Sequence, residues 1–298
     1  MKKIAILTPT RSRPGKLDTF IQSVYSTATH PERIFTYNYI DADDPRIKAY
    51  EEYTSRQHNN STNLIGEPQS VSISWNVLAN LAVNESEQPA DILIMGNDDL
   101  IYRTPGWDDI IEEESLKFPD DIYCMWMEDL INGEKHCAFP IVSKKWYTTL
   151  GYFTPGVFNF GYNDTWVFDV AKRIGRTHFI PNAVNEHMHF TTGKSGMDDT
   201  YNRNRTQDRG NLYEKDKIIF DDTESKRKED ADKLIWKFIG GDADKLMELT
   251  NGQSRVQSEE PTKPKQTRKS KKNKGIKAAL AKRNKAKSKK RSRKAKAG

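Results

Sequence analysis

The sequence has little of several features that define common protein classes. Its two cysteines, Cys124 and Cys137, stand outside any CxxC pattern, which excludes a disulfide framework and a cysteine-rich zinc module. No apolar run approaches the ~18 residues of a membrane span. The run from Ile4 to Leu7 is too short for the ~7–15-residue apolar core of a signal peptide. These absences predict a soluble cytoplasmic protein, compatible with a phage or bacterial origin.

Glycine-rich nucleotide loops are also missing. Neither GxGxxG nor GxxxxGK[ST] follows the first predicted strand, which argues against a dinucleotide-binding domain and a P-loop enzyme. A nucleotidyltransferase usually has a glycine-rich basic loop at this place, where TPTRSRP has only Gly15 nearby. That class shares phosphate and metal chemistry, and it stays open as an alternative.

Charge is divided unevenly along the chain. Residues 255–298 contain 19 basic and 2 acidic residues, a net charge of +17, although the whole chain carries only +6. The first 254 residues therefore carry −11, and they contain all six tryptophans. The basic segment cannot bury enough apolar surface to offset its ordering entropy. We predict a folded domain over 1–250 and a disordered Lys/Arg-rich tail over 251–298.

Short apolar runs alternate with segments of helical period from the first residues onward. Ile4–Leu7, Ile34–Ile40 and Ile92–Met95 are typical of buried strands, and Leu17–Tyr25 and Ser70–Val83 are typical of helices. This alternation predicts an α/β domain with a mostly parallel sheet flanked by helices. Ligands of such sheets bind at the carboxyl ends of the strands.

The later part of the domain continues the pattern. Asp121–Met127 and Cys137–Val142 are interpreted as two strands joined by a hairpin turn at Asn132-Gly133. Asp164–Ile174 is interpreted as a helix. Asp221–Lys237 has an amphipathic pattern that predicts a C-terminal helix packed on the core.

Charged loops follow the first three strands: TPTRSRP, DADDP and GNDDL. Adjacent carboxylates at a strand end, such as Asp98 and Asp99, suit a hard divalent cation that also binds phosphate oxygens, such as Mg²⁺ or Mn²⁺. An isolated pair of this kind is more often an acidic turn with a capping Asp. Because Asp41 and Asp43 occupy the matching place one strand earlier, we favour the metal.

Three downstream segments have both a functional and an ordinary interpretation. In NEHMHF, His187 and His189 would point to one face of a strand, as metal ligands or as two unremarkable histidines. The loop TTGKSG would close over a phosphate with Lys194 as the counter-charge, or simply connect two elements. In FGYNDTW, Asp164 would be a helix cap or a general base.

Taken in order, these motifs resemble GT-A glycosyltransferases of the broad family 2 type. The resemblance covers roughly residues 3–200 and rests on TPTRSRP, DADDP, SISWNVLANLA, DILIMGNDDL with GWDD, FGYNDTW and EHMHF. It implies a Rossmann-like GT-A fold that binds a nucleotide-sugar over the strand ends. It also implies a divalent metal, Mn²⁺ or Mg²⁺, on the diphosphate of the donor.

The resemblance assigns a role to each motif. The predicted nucleotide-sugar-binding residues include the loop lysine. They are Thr8, Pro9, Arg11, Arg13, Asp41, Asp43, Trp75, Asp98 and Lys194. The predicted metal ligands are Asp99, Asp98 and His187, with His189 as the second choice of histidine. Asp164, at the position of the ED-type motif, is the predicted general base. Two residues depart from the family pattern: Asn97 replaces the first Asp of the acidic motif, and Asn163 replaces the Glu.

The resemblance predicts a metal-dependent, inverting, hexosyltransferase-type enzyme that moves a sugar from a nucleoside-diphosphate sugar to an acceptor hydroxyl. The tail, which lacks aromatic residues, predicts polyanion binding by counterion release, to nucleic acid first and to an anionic surface next. A modified DNA base or a surface glycan would then be the acceptor. The alternative from another class is a non-catalytic nucleic-acid-binding protein, for which the metal and base positions are dispensable.

Overall fold

A mixed eight-stranded sheet forms the centre of the fold. The computed structural model describes residues 1–54, 58–205, 211–242 and 245 of the chain. Within these residues the strands are β1 (Ile4–Thr10), β2 (Ile34–Asp41), β3 (Ser61–Gly66), β4 (Ile92–Met95), β5 (Leu100–Tyr102), β6 (Cys124–Glu128), β7 (Ile141–Ser143) and β8 (Thr177–His187). They lie in the order β3-β2-β1-β4-β7-β6-β8-β5.

Helices pack on both faces of this sheet. In the described residues they are α1 (Pro14–Thr27), α2 (Ile47–Thr54), α3 (Val71–Asn80), α4 (Trp107–Ser115), α5 (Lys144–Leu150), α6 (Asn163–Arg173), α7 (Asp199–Arg205), α8 (Leu212–Asp222) and α9 (Glu224–Phe238). Along β1, Ile4 and Ile6 belong to the core that contains α1, whereas Ala5 and Leu7 belong to the core that contains α3. A strand buried on both faces explains why the sequence is continuously apolar there.

Strand directions bring the ends of three strands together. β1 is parallel to β2 and β4, β2 to β3, and β6 to β8. The antiparallel pairs are β4 with β7, β6 with β7, and β5 with β8. The predicted α/β fold with a mostly parallel sheet and flanking helices is confirmed, and its layers agree with the GT-A-like architecture that the motifs imply. The loops after β1, β2 and β4 meet at one edge.

A glycine allows β4 to end close against β1. A Cβ atom on Gly96 would lie 2.3 Å from Oγ1 of Thr8 and 2.8 Å from Cγ2 of Ile6. Both distances are shorter than real Cβ contacts, so any side chain at this position would push the two strands apart. Gly96 therefore fixes the acidic loop that follows it directly above the end of β1.

Two predicted local structures are wrong in detail. β6 and β7 pair, but β7 begins at Ile141, and the segment before it contains a 3₁₀ turn rather than a two-residue hairpin. The carboxylate of Asp129 accepts the backbone N–H groups of Ile131 and Asn132, and this local bonding replaces ladder pairing. The predicted helix 221–237 is α9 together with the end of α8, because the chain turns at Thr223.

The described part of the chain has no helix that is both long and apolar enough to cross a membrane. It belongs to one unit, Met1–Met247. The predicted tail over 251–298 lies outside the described residues and stays a prediction.

Candidate functional site

A cavity of about 310 Å³ lies where the loops after β1, β2 and β4 meet. Its volume is that of a small-molecule site. The predicted site residues that line it are Pro9, Arg11, Arg13, Asp41, Trp75, Asp98, Asp164, His187 and His189. The remaining predicted residues, Thr8, Asp43, Asp99 and Lys194, are outside its lining.

Both oxygens of Asp98 have protein partners. Oδ1 accepts a hydrogen bond from Nη1 of Arg13 at 2.9 Å, and Oδ2 accepts one from Oγ1 of Thr10 at 2.7 Å. Burial raises the pKa of Asp98 and the adjacent Asp99 adds to the rise, while Arg13 opposes it. Asp98 therefore ties the loop after β4 to the loop after β1.

Asp99 has a different environment, although it is only 3% exposed. Its Oδ2 accepts a hydrogen bond from the hydroxyl of Tyr201. Its Oδ1 lies 3.4 Å from Nε2 of His187 and has no hydrogen-bond partner among the described residues. Burial acts to raise the pKa of Asp99, but His187 and Tyr201 outweigh it and hold the pKa below its ordinary value. Asp99 is thus an ionised carboxylate with one oxygen directed at an imidazole.

Backbone bonds bring the histidine to that carboxylate. His187 ends β8, where its N–H donates to the carbonyl of Asp129 at 3.0 Å, and the N–H of Met188 donates to the carbonyl of Asp99 at 2.8 Å. Neither ring nitrogen of His187 has a hydrogen-bond partner within the described ranges. His189 lies beyond the strand and caps a 3₁₀ turn, with Nδ1 2.7 Å from Oγ1 of Thr191. The two histidines therefore do not share a strand face, although their ring centroids are 5.0 Å apart.

Asp99 and His187 fit a divalent metal as two protein donors. Within the described part of the chain their facing atoms have no hydrogen-bond partner, and the 3.4 Å between them is longer than a good N–H···O hydrogen bond. No group of three or more His, Cys, Asp or Glu side chains that would hold a metal occurs in the described residues. A cation here would take its other ligands from substrate oxygens and water, which is how Mg²⁺ binds in many phosphate-transfer sites.

The loops after β1 and β2 are joined by an ion-pair cluster. Nη1 of Arg11 donates to Oδ2 of Asp41 at 2.7 Å and also pairs with Asp43. Burial acts against the charge of Arg11, but these two carboxylates raise its pKa. Trp75 on α3 donates from Nε1 to the carbonyl of Leu7 at 3.0 Å, which places its ring at the cavity wall.

A segment that sequence reasoning missed crosses this part of the cavity. Asp198 accepts hydrogen bonds from Nη2 of Arg13 and from Nζ of Lys16, both at 2.8 Å. Burial acts to raise the pKa of Asp198, but these bonds lower it to about 2. The guanidinium of Arg13 also lies 4.3 Å from the ring centroid of Tyr201. Asp198 and Tyr201 both lie in the segment MDDTY, which contains no motif that indicates a site.

Asp164 lies in the first turn of α6, where the helix dipole favours a carboxylate. Its Oδ2 is 2.8 Å from Nε2 of His136, a cavity residue that carried no signal in the sequence. Tyr162, just before α6, has φ of 64°, a left-handed conformation that costs energy for a bulky side chain. Such outliers persist where surrounding contacts hold them in place.

A buried carboxylate holds the loop that leads to Asp164. Asp216, on α8 and fully buried, accepts hydrogen bonds from the backbone N–H groups of Asn159, Phe160 and Gly161 at 3.0, 2.7 and 2.8 Å. These residues line the cavity. A helix late in the chain therefore fixes the wall beside Asp164.

Lys194 is directed away from the place predicted for it. Its Nζ lies 2.8 Å from Oε1 of Glu186, and Oε2 of the same carboxylate accepts a hydrogen bond from Arg103. In this structure the positive charge of Lys194 is paired with protein, and the residue is outside the cavity lining.

No protein-family model matches the chain, and no curated protein matches it significantly. Among solved structures, TarS 1-349 from S. aureus in complex with UDP aligns with 61% of this chain and 59% of its own, at 10% identity and a TM-score of 0.46. This chain thus spans about three-fifths of that TarS fragment. The mannosyltransferase PcManGT from Pyrobaculum calidifontis, in complex with GDP-Man and Mn²⁺, aligns over 87% of this chain and 81% of its own, at 11% identity and a TM-score of 0.48. At such identities the likeness concerns the fold alone.

Proposed function

We propose that the protein is a metal-dependent glycosyltransferase that moves a sugar from a nucleoside-diphosphate sugar to an acceptor hydroxyl. One observation carries the proposal: Oδ1 of Asp99 and Nε2 of His187 face each other at 3.4 Å without a hydrogen-bond partner among the described residues, and His187 lines the same cavity as Asp164. Two candidate metal ligands, Asp99 and His187, lie near a candidate base, Asp164. This combination suits a reaction with a charged leaving group and a hydroxyl nucleophile.

The donor would lie across the loops after β1, β2 and β4. Pro9, Trp75 and the Arg11–Asp41 pair line the cavity and offer apolar, cationic and acceptor groups to a nucleoside. Asp99 and His187 would hold Mn²⁺ or Mg²⁺, with His189 the second choice of histidine. When bound, such a cation neutralises charge that develops on the leaving diphosphate.

The remaining predicted residues would support this arrangement. Thr8 packs beneath the acidic loop, and Asp43 and Asp41 both pair with Arg11. Asp98 would hold Arg13 and the adjacent Asp99 in position rather than bind the metal, because both of its oxygens already accept hydrogen bonds. Lys194 would reach a phosphate only after its pair with Glu186 opens.

Asp164 would act as the general base. The acceptor hydroxyl gives its proton to the Asp164 carboxylate while its oxygen bonds to the anomeric carbon of the sugar. The bond from that carbon to the phosphate oxygen breaks, and the nucleoside diphosphate leaves with the electron pair. Direct displacement of this kind inverts the anomeric centre, as expected of a hexosyltransferase with one base.

Nucleotide binding tests the donor assignment. We expect UDP or GDP to raise Tm by several degrees in the presence of Mn²⁺, because a ligand at 100 times its Kd stabilises the native state by about 2.7 kcal/mol. Uridine, guanosine and Mn²⁺ alone serve as controls, since each lacks part of the metal-diphosphate unit. An equal shift without Mn²⁺, or none with either nucleotide, would contradict the proposal.

The acceptor is proposed to be, or to lie on, a polyanion bound by the basic tail. With a net charge of +17 in residues 255–298, binding to duplex DNA should weaken steeply between about 50 and 200 mM salt. The 298-residue chain with the basic residues of 282–296 changed to Gln should lose most of this affinity and keep its nucleotide-induced Tm shift. Unchanged DNA binding in that variant would rule the tail out.

Transfer assays separate the remaining candidate functions. A panel of UDP- and GDP-sugars with Mn²⁺, offered with hydroxylated DNA or a glycan, should release nucleoside diphosphate if the protein is a glycosyltransferase. A nucleotidyltransferase would instead release pyrophosphate from a nucleoside triphosphate. A non-catalytic nucleic-acid-binding protein would release neither product, because its metal and base positions are dispensable.

A further inference from the structure

His136 and Asp164 form a side-chain pair inside the cavity. Nε2 of His136 lies 2.8 Å from Oδ2 of Asp164, and both side chains are about 30% exposed, at 31% and 28%. The histidine ring packs edge-on against Phe168, with centroids 5.6 Å apart and planes at 81°. The ring is therefore held by α6 at two points, one turn apart.

This pair decides which oxygen of Asp164 is available for chemistry. Oδ2 is engaged by His136, whereas Oδ1 has only a 3.3 Å contact with Oγ1 of Thr165, longer than usual for a hydroxyl donor. A carboxylate at the first turn of a helix would otherwise rotate toward the helix N–H groups. Engagement of Oδ2 fixes the plane of the carboxylate of this cavity residue and leaves Oδ1 as its less engaged oxygen.

We propose that His136 is a positioning residue for the base, which donates Nε2–H to Oδ2 of Asp164 and leaves Oδ1 to accept the proton of the acceptor hydroxyl. This inference rests on the proposed function and concerns the same site. The neutral Nε2–H tautomer is assigned from the hydrogen bond, because Asp164 as a carboxylate can only accept.

The surroundings of His136 make the arrangement sensitive to pH. The hydrogen bond that Asp164 accepts from His136 raises the pKa of His136 above its ordinary value of 6.5, and burial opposes the rise. The other charged groups that act on it are Lys172 from α6, which lowers the pKa, and Asp129 after β6, which raises it. Below this pKa the ring is an imidazolium, whose charge stabilises the Asp164 carboxylate and makes it a poorer base. Activity should therefore rise with pH as His136 loses its proton.

Two variants of His136 and one control variant test the inference. The measurement is steady-state kinetics with the UDP- and GDP-sugar panel and Mn²⁺ between pH 5 and 9. His136→Ala removes the donor, and misplacement of the base should lower kcat by up to about 100-fold. Donor KM should not change, because the donor contacts other residues. His136→Gln places an amide N–H where Nε2 was, so kcat should return to within a few-fold of wild type. Because glutamine does not titrate, the rise in kcat above pH 6.5 should disappear.

His178→Gln is the matched control. His178 also pairs through Nε2 with a carboxylate, that of Glu114, and is similarly half-buried, but it is outside the cavity lining. This variant should keep the wild-type kcat and pH profile. If the loss of any histidine–carboxylate pair changed kcat or its pH profile, His178→Gln would show the same change as His136→Gln.

The outcomes separate this inference from the proposed function. Wild-type kcat in His136→Ala, or an unchanged pH profile in His136→Gln, overturns the positioning role while Asp164 stays the base. Retained activity in Asp164→Asn overturns the base assignment itself. The proposal is supported if kcat falls in His136→Ala, returns to near the wild-type value in His136→Gln, and no longer rises with pH in His136→Gln.

Discussion

Replacing Asp164 with asparagine is expected to lower sugar transfer by about 10²–10⁴-fold, the contribution typical of a general base. Asparagine has nearly the same shape, and its amide cannot take a proton from the acceptor hydroxyl. Nucleotide binding should survive, because Asp164 lies on α6, which contributes none of the proposed donor contacts. The measurement is transfer rate together with the Tm shift caused by UDP or GDP with Mn²⁺.

Asp109→Asn is the matched control for Asp164→Asn. Asp109 also lies in the first turn of a helix, α4, but it is 49% exposed, pairs with Arg33, and does not line the cavity. Its replacement removes the same helix-terminal charge without touching the site, and activity should remain at the wild-type level. An Asp164→Asn protein as active as wild type would show that another group takes the proton.

Replacing Asp99 with alanine should abolish the metal-dependent part of donor binding. Asp99 would supply one of two protein donors to the cation, so the loss should exceed the ~10–100-fold typical of residues that only orient a metal ligand. The Mn²⁺-dependent Tm shift with UDP or GDP should disappear, and calorimetric titration should give the same weak affinity with and without Mn²⁺.

Asp98→Asn provides the comparison for Asp99→Ala. Asp98 is equally buried, but both of its oxygens are bound, by Arg13 and Thr10. Loss of one partner of a buried charged pair typically costs about 3–5 kcal/mol, so this variant should unfold at lower denaturant. Its remaining folded fraction should still respond to Mn²⁺. If Asp98→Asn loses the metal dependence and Asp99→Ala keeps it, the two roles proposed for the carboxylates are reversed.

The central strands could be predicted from the sequence because each is a short apolar run ended by polar residues. Only the end of β8, at His187, was predicted as a strand, and the rest was missed for a physical reason. Its sequence THFIPNAVNEH alternates irregularly around Pro181, and its pairing with β6 shifts register between Met127 and Glu128. A bulged strand loses the two-residue period on which recognition depends.

Much of the candidate site was predictable because its residues lie at or just after strand ends. Asp41 ends β2, Asp98 and Asp99 lie in the loop after β4, and parallel strands place such residues at one edge. His136 and Tyr201 reach the site through contacts with Asp164 and Asp99, 28 and 102 residues away. No periodicity or spacing reports a contact of that kind, because it depends on how layers pack after the sheet has formed.

The hydrogen bonds that Asp216 accepts from the 159–161 backbone determine the order in which parts of the site form during synthesis. During synthesis the amino-terminal part of a chain emerges first, at about 5–20 residues per second. Strands β1, β2 and β4 can pair long before α8 leaves the ribosome. Asp230, still later, accepts hydrogen bonds from Tyr152 and Trp166 beside the same loop. The wall that carries Asp164 is therefore completed last, so a nascent chain can assemble its acidic loops well before it can place a base beside them.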